Sequence, residues 1–290
     1  MAGRVVMVTG ASNGIGRSIV LGLANLGATV VMVCRNRERG TAAQGWISDL
    51  AGDVRLDLLV ADLSSQRQIH ALSSDFLDKY DRLDVLVNNA GVLMGQRTVT
   101  GDGLETTFAV NHIAYFQLTA LLSDCLVETA PSRVVNVASI AHKRGRLRFD
   151  DLQGEKRYGA VRAYAQSKLA NIVFTYELAR RLSGTGVTAN CLDPGAIKSG
   201  LGKDSGGLAP RYWRLRQPFL APEDKGAETP IYLASSADVS KMSGGYWTER
   251  RLRPSSKRSY DAVDAKRLWD VSEELLASKE SDQNTEEPTG

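Results

Sequence analysis

Arg4-Val5-Val6-Met7-Val8-Thr9-Gly10-Ala11-Ser12-Asn13-Gly14-Ile15-Gly16 decides how the chain is read. Val5–Thr9 is a short, continuously apolar, β-branched run, the pattern of a strand covered on both faces. Glycines at 10, 14 and 16 follow at once, and Ile15–Leu26 then has helical spacing that stops at Gly27. Glycines let a backbone turn tightly and approach a pyrophosphate closely. The helix N-terminus beyond them offers unpaired N–H groups and a positive dipole end. Gly10, Ser12, Asn13, Gly14, Ile15 and Gly16 are therefore candidate cofactor-binding residues. The spacing is GxxxGxG, and its place between a strand and a helix carries more weight than the glycines alone.

Working outward, short β-branched runs alternate with longer amphipathic ones. Ala28–Cys34, Arg55–Val60, Leu83–Asn88, Arg133–Ala138 and Val187–Leu192 read as strands. Helical stretches lie around Thr41–Leu50, Ser64–Tyr80, Asp102–Glu128 and Val161–Leu182. This alternation predicts an α/β fold, a single doubly wound Rossmann domain with a parallel sheet covered on both faces. Pro222–Ser235 reads as a helix and Gly245–Thr248 as a seventh strand. Asp261–Ala277 is a short amphipathic helix, with Val263, Leu268, Trp269 and Leu275 available to dock. Residues 1–250 are read as one cofactor-binding catalytic domain, 251–278 as a helical extension and 279–290 as a polar, disordered tail. Within the domain, residues 198–221 form an insertion after the sixth strand that mixes Gly, aromatic and basic residues. Its position predicts a substrate lid.

Composition narrows the classes. The 290 residues are 43% hydrophobic and 24% charged, which fits a globular chain rather than a collagen-like or disulfide-rich one. A net charge of +3 with dispersed Lys and Arg argues against nucleic acid as a partner. The basic clusters at Lys143–Arg148 and Arg250–Arg258 read as solvated faces. Cys34, Cys125 and Cys191 read as free buried thiols in a reducing compartment. Scattered His70, His112 and His142, with neither CxxC nor HExxH, give no metal site. No apolar run is long enough to span a membrane and none precedes the first strand as a signal, so the reading is cytoplasmic.

The chemistry gathers at the ends of other strands. Arg35 ends the second strand, with Arg37 and Arg39 behind it. An acidic residue there would hold a ribose 2′-hydroxyl, whereas arginine favours a 2′-phosphate, hence NADP(H). Tyr164 and Lys168 are one helical turn apart on one face. An ammonium near a phenol favours the phenolate, so the pair predicts a tuned acid/base. Ser139 follows the fifth strand at the edge where such sheets bind ligands, and could hold a substrate oxygen. Asn89, Ala90 and Gly91 end the fourth strand on the same edge. Asn111 is polar among apolar neighbours in a helix, which a core hydrogen bond explains as well as catalysis does.

TGASNGIG, NNAG, Asn111, Ser139, Tyr164-Ala165-Gln166-Ser167-Lys168 and Asp193-Pro194-Gly195, in this order, resemble the short-chain dehydrogenase/reductase family. Phe149–Gly195 and Ala265–Leu276 look closest to its retinol dehydrogenase-like branch. The resemblance implies a seven-stranded sheet with four catalytic residues. Tyr164 would exchange the proton, Lys168 would bind the nicotinamide ribose and lower the Tyr164 pKa, Ser139 would orient the carbonyl, and Asn111 would support a water-linked relay. It further implies that Asp62 and Leu63 flank the adenine and Asn89 lies along the cofactor. Pro194, Gly195, Ile197 and Ser199 would lie near the nicotinamide. It also implies a lipophilic carbonyl or alcohol substrate and a homo-oligomer. The competing class is a non-catalytic NADP-binding regulatory protein on the same fold. The complete Ser139–Tyr164–Lys168 set argues against it, because a binding module needs no acid/base.

Overall fold

The computed structural model describes residues 1–197 and 221–283. Its sheet contains β1 (Val5–Thr9), β2 (Thr29–Cys34), β3 (Leu56–Val60), β4 (Val85–Asn88), β5 (Ser132–Val137), β6 (Val187–Asp193), β7 (Tyr246–Thr248) and β8 (Arg251–Arg253). The strand order is β3-β2-β1-β4-β5-β6-β7-β8. β1 pairs with β2 on one side and β4 on the other, all parallel, so the winding reverses there. That reversal opens a crevice at the carboxyl ends of the two strands, where open α/β sheets bind ligands.

The helices are α1 (Gly14–Asn25), α2 (Arg37–Ala51), α3 (Gln66–Leu77), α4 (Thr106–Phe108), α5 (Ala114–Leu121), α6 (Ser123–Glu128), α7 (Ala160–Arg181), α8 (Glu223–Ser235) and α9 (Ala262–Gln283). Alternation along β1 divides the core in two. Val6 and Val8 pack with Ile19, Leu23, Ile47 and Leu233 from α1, α2 and α8. Val5 and Met7 pack with Ile69, Phe76, Leu118 and Phe174 from α3, α5 and α7.

Four expectations are corrected. The sheet has an eighth strand, antiparallel to β7. Glu249 (φ 51) and Arg250 (φ 59) turn the chain between them, a left-handed pair normally announced by Asn or Gly. Thr229 Oγ1 accepts the Arg250 N–H at 3.1 Å and holds this turn. The stretch Asp102–Glu128 is not one helix: it starts at Thr106, widens into a π-turn over Ala109–Ile113 and breaks again at Leu122. Buried Glu105 fixes the start by accepting the N–H groups of Thr107 and Phe108, each at 2.8 Å. The last helix runs through Gln283, beyond the expected start of a disordered tail at 279. Along it Leu268 is buried and Trp269 packs edge-on to Phe116, whereas Val263 stays 77% exposed and does not dock.

Candidate active site

The turn after β1 is built from missing side chains. Gly10 (φ 67) and Gly14 (φ 56) take left-handed conformations that other residues avoid. A Cβ on Gly16 would stand 2.1 Å from the Gly10 carbonyl oxygen and 2.6 Å from Asn89 Nδ2. Only glycine therefore lets α1 begin so close to the loop. Asn13 precedes α1 in extended conformation without a side-chain cap, which leaves the opening N–H groups for another acceptor. Ser12 and Ile15 are half-buried beside it and Asn13 is exposed. Ser12 faces Cys34, whose thiol burial pushes up to about 11. All three cysteines of the chain are free and buried.

Arg35 stands exposed where β2 ends, with no ion pair among the described residues. The turn after β3 is held by Asp62, whose Oδ1 accepts the Ser64 N–H at 2.9 Å and its hydroxyl at 2.8 Å, and Leu63 beside it is buried. The turn after β4 is fastened to β1. Thr9 Oγ1 accepts the N–H groups of Asn89 at 2.9 Å and Ala90 at 3.1 Å, and Asn89 Nδ2 donates to the Thr9 carbonyl at 2.8 Å. From below, the Tyr115 hydroxyl donates to the Ala90 carbonyl at 2.8 Å. These residues fit a dinucleotide: a glycine cradle, an uncapped helix start and a free guanidinium lie along one crevice.

Ser139 follows β5 in extended conformation, and its Oγ accepts the Ala141 N–H at 3.2 Å. Its hydroxyl also faces the Tyr164 phenol. Lys168 lies one turn further along α7, only 3% exposed, and its Nζ donates to the Val137 carbonyl at 2.9 Å. That Nζ is 5.7 Å from the Tyr164 ring centroid and 5.6 Å from that of Tyr115. Gly91 closes the group: a Cβ there would be 3.5 Å from both Lys168 Nζ and Asn111 Oδ1.

The electrostatics depart from the expectation. Burial lowers the Lys168 ammonium to about 7. Burial also raises the Tyr164 phenol to about 12, against a lowering pull from Ser139 and with a further push from Asp193. Desolvation is the largest influence on both groups. Asn111 sits in the π-turn with its side chain fully engaged. Oδ1 accepts the Val92 N–H at 2.7 Å, and Nδ2 donates to the Val92 carbonyl at 2.9 Å and to Ser167 Oγ at 3.0 Å. Its amide braces Val92 and Ser167.

Beyond β6, Pro194 is half-buried and Gly195 (φ 87) donates its N–H to Asp193 Oδ1 at 3.2 Å. Ile197 is buried and bridges to Ala221. Gly226 on α8 packs so closely that a Cβ there would meet Ile197 at 2.8 Å and Ile15 at 2.9 Å. Ser199 and, except for Ala221, the expected lid fall outside the described residues. Thr9, Tyr115, Ser167 and His142 touch residues of the site and were given no role in it from the sequence. Tyr115, four residues after Asn111, was open to the same one-turn argument that paired Tyr164 with Lys168.

Comparisons with known proteins point the same way. A family model described as short chain dehydrogenase matches residues 4–206. Retinol dehydrogenase 12 of Mus musculus is 43% identical over 274 residues, covering 94% of this chain and 86% of that protein. Retinol dehydrogenase 11 of Homo sapiens is 42% identical over 276 residues, covering 95% and 86%. Among solved structures, an uncharacterized protein from Mycobacterium paratuberculosis superposes with TM-score 0.77 at 32% identity, covering 95% and 94%. The Pseudomonas aeruginosa RhlG/NADP complex superposes with TM-score 0.68 at 28% identity, covering 85% and 94%.

Proposed function

The chain belongs to the short-chain dehydrogenase/reductase family, on its retinol dehydrogenase-like branch, and from that premise we propose an NADP(H)-dependent oxidoreductase that interconverts a carbonyl and an alcohol on a lipophilic substrate. The observation that carries the reading is the meeting of Ser139, Tyr164 and Lys168 at the crevice edge, beside the turns that begin at Gly10 and Asn89.

The nicotinamide dinucleotide, when bound, supplies or accepts the hydride. Gly10, Ser12, Asn13, Gly14, Ile15 and Gly16 cradle its pyrophosphate. Arg35 takes the 2′-phosphate, Asp62 and Leu63 flank the adenine, and Asn89, Ala90 and Gly91 line its path. Pro194, Gly195 and Ile197 border the nicotinamide end. Lys168 binds the ribose and holds the floor of the site through Val137. Ser139 orients the substrate oxygen. Tyr164, raised toward 12, enters the reaction as a protonated phenol and so as the donor in carbonyl reduction. Asn111 contributes by bracing Val92 and Ser167.

Support for an apolar substrate comes from Ile140, 52% exposed beside Ser139, and Val161, 64% exposed one turn before Tyr164. Three free buried thiols suit a reducing, cytoplasmic setting.

The test is NADPH oxidation, followed by absorbance, over a panel of lipophilic aldehydes and ketones with NADH alongside. Tyr164→Phe should lower turnover by roughly 10²–10⁴-fold with cofactor affinity nearly unchanged. A panel without turnover, or a Phe variant as active as the parent, overturns the reading.

A further inference from the structure

His142 lies three residues beyond Ser139, wholly buried, on the short 3-10 turn that follows β5. Its Nδ1 is 2.7 Å from the Ser139 carbonyl oxygen, and its own backbone N–H reaches the same oxygen at 3.0 Å. Its Nε2 accepts the backbone N–H of Ser256 at 3.1 Å. Both ring partners are backbone groups with fixed roles: a carbonyl only accepts and an amide N–H only donates. The ring must therefore carry its proton on Nδ1 and keep a lone pair on Nε2. No other state of the imidazole satisfies both contacts.

Ser256 belongs to a strap, residues 254–260, between β8 and α9, and the strap is fastened on its own account. Ser255 Oγ meets the Tyr176 hydroxyl at 2.7 Å and Ser259 Oγ at 2.6 Å. Tyr260 stacks on Tyr176 at 5.3 Å, and Arg258 donates to the Gly145 carbonyl at 3.3 Å. His142 is thus the link between a fixed strap and the residue that would orient the substrate oxygen.

We propose that His142 is a positioning residue, a neutral imidazole that clamps Ser139 to the strap and releases it when protonated. This rests on the reaction assigned above to Ser139 and Tyr164. In the imidazolium, Nε2–H would confront Ser256 N–H, two donors with no acceptor between them. Either the strap or the ring must then move, and a ring that swings away gives up the Ser139 carbonyl.

The surroundings set where this happens. Burial disfavours the charged ring, the Ser139 carbonyl and Asp193 on β6 favour it, and Lys143 on its own turn opposes it. The Tyr246 ring on β7 packs edge-on at 4.9 Å, and its phenol, raised by burial, stays neutral across this range. Arg144 on the same turn and Arg258 on the strap, which donates to the Gly145 carbonyl, are cationic as well. The balance lies below the ordinary histidine value, so the clamp is closed at neutral pH and opens on the acid side.

Two substitutions separate the contacts. His142→Asn keeps a short amide donor toward Ser139 and cannot titrate. Ser256→Pro deletes the N–H together with a hydroxyl that has no hydrogen-bond partner among the described residues, at a residue whose φ of −68° already suits proline. NADPH-dependent carbonyl reduction is measured from pH 8 to 5 on the full chain, with the ¹⁵N resonances of His142 followed over the same range. The parent should lose at least about fivefold in kcat through one protonation as pH falls, with KM little changed. His142→Asn should abolish that step, and Ser256→Pro should move it upward by about half a pH unit or more. ¹⁵N spectra should show the Nδ1–H tautomer at neutral pH. A step that persists in His142→Asn, a step unmoved in Ser256→Pro, or the opposite tautomer overturns the clamp. The expected tautomer and titration in a chain that reduces no carbonyl would uphold the clamp and overturn the reaction instead.

Discussion

Acidification should destabilise this fold through His112, and the amount follows from its surroundings. The ring is completely buried beside Phe108 at 5.1 Å and Phe174 at 6.0 Å, with Nε2 3.0 Å from Ser272 Oγ. Burial lowers its pKa from 6.5 to about 4, and the facing Asn171 amide offsets only part of that. As pH falls below 6.5 the unfolded chain takes up this proton and the folded chain does not. The stabilisation is therefore complete above 6.5 and is lost as pH falls toward 4. A site that binds its proton near 6.5 unfolded and near 4 folded costs the native state about 2 kcal/mol by pH 5. Urea unfolding by circular dichroism at pH 7 and pH 5 measures the loss, and His112→Gln removes the titrating group while leaving every other acid and base in place. The parent should lose about 2 kcal/mol more than the variant between the two conditions. Equal losses, within roughly 0.5 kcal/mol, would show that His112 takes up its proton as readily folded as unfolded.

Arg35→Asp should weaken NADPH binding about tenfold or more, some ~1.4 kcal/mol, while sparing NADH, as measured by fluorescence titration; equal affinity of the parent for both cofactors would refute the role of Arg35. Gly16→Ala should abolish cofactor binding and cost roughly 1–3 kcal/mol in stability, since its Cβ would collide with the Gly10 carbonyl oxygen and Asn89. Gly45→Ala, on the exposed face of α2 with nothing within 4 Å of the new Cβ, is the control and should be neutral or stabilising in the same melt.

The parts of the site that were legible in the sequence depend on neighbours in the chain. Gly10, Gly14 and Gly16 have to be glycine for reasons internal to one turn, and Tyr164 and Lys168 share a face because one helical turn separates them. Strand identity followed from apolar continuity. β8 was missed because its turn uses Glu249 and Arg250 in conformations usually given to Gly or Asn. Within the widened turn at 109–113, Asn111 reaches Val92 and Ser167, contacts that no local period records. The upward pull of burial on the Tyr164 phenol was not legible for a related reason. Spacing places an ammonium near the phenol but cannot show how deeply both are buried.

Two buried histidines, one beside Asn111 and one on the turn that Ser139 begins, take their partners from the far end of the chain. His112 meets Ser272 across 160 residues and His142 meets Ser256 across 114. During synthesis at roughly 5–20 residues per second, the segments bearing Asn111 and Ser139 leave the peptidyl-transfer centre many seconds before their supports exist. The cradle at Gly10 and its neighbouring strands can assemble in that interval from sequence already made. The nascent protein should therefore acquire its capacity to bind a dinucleotide before its capacity to turn one over.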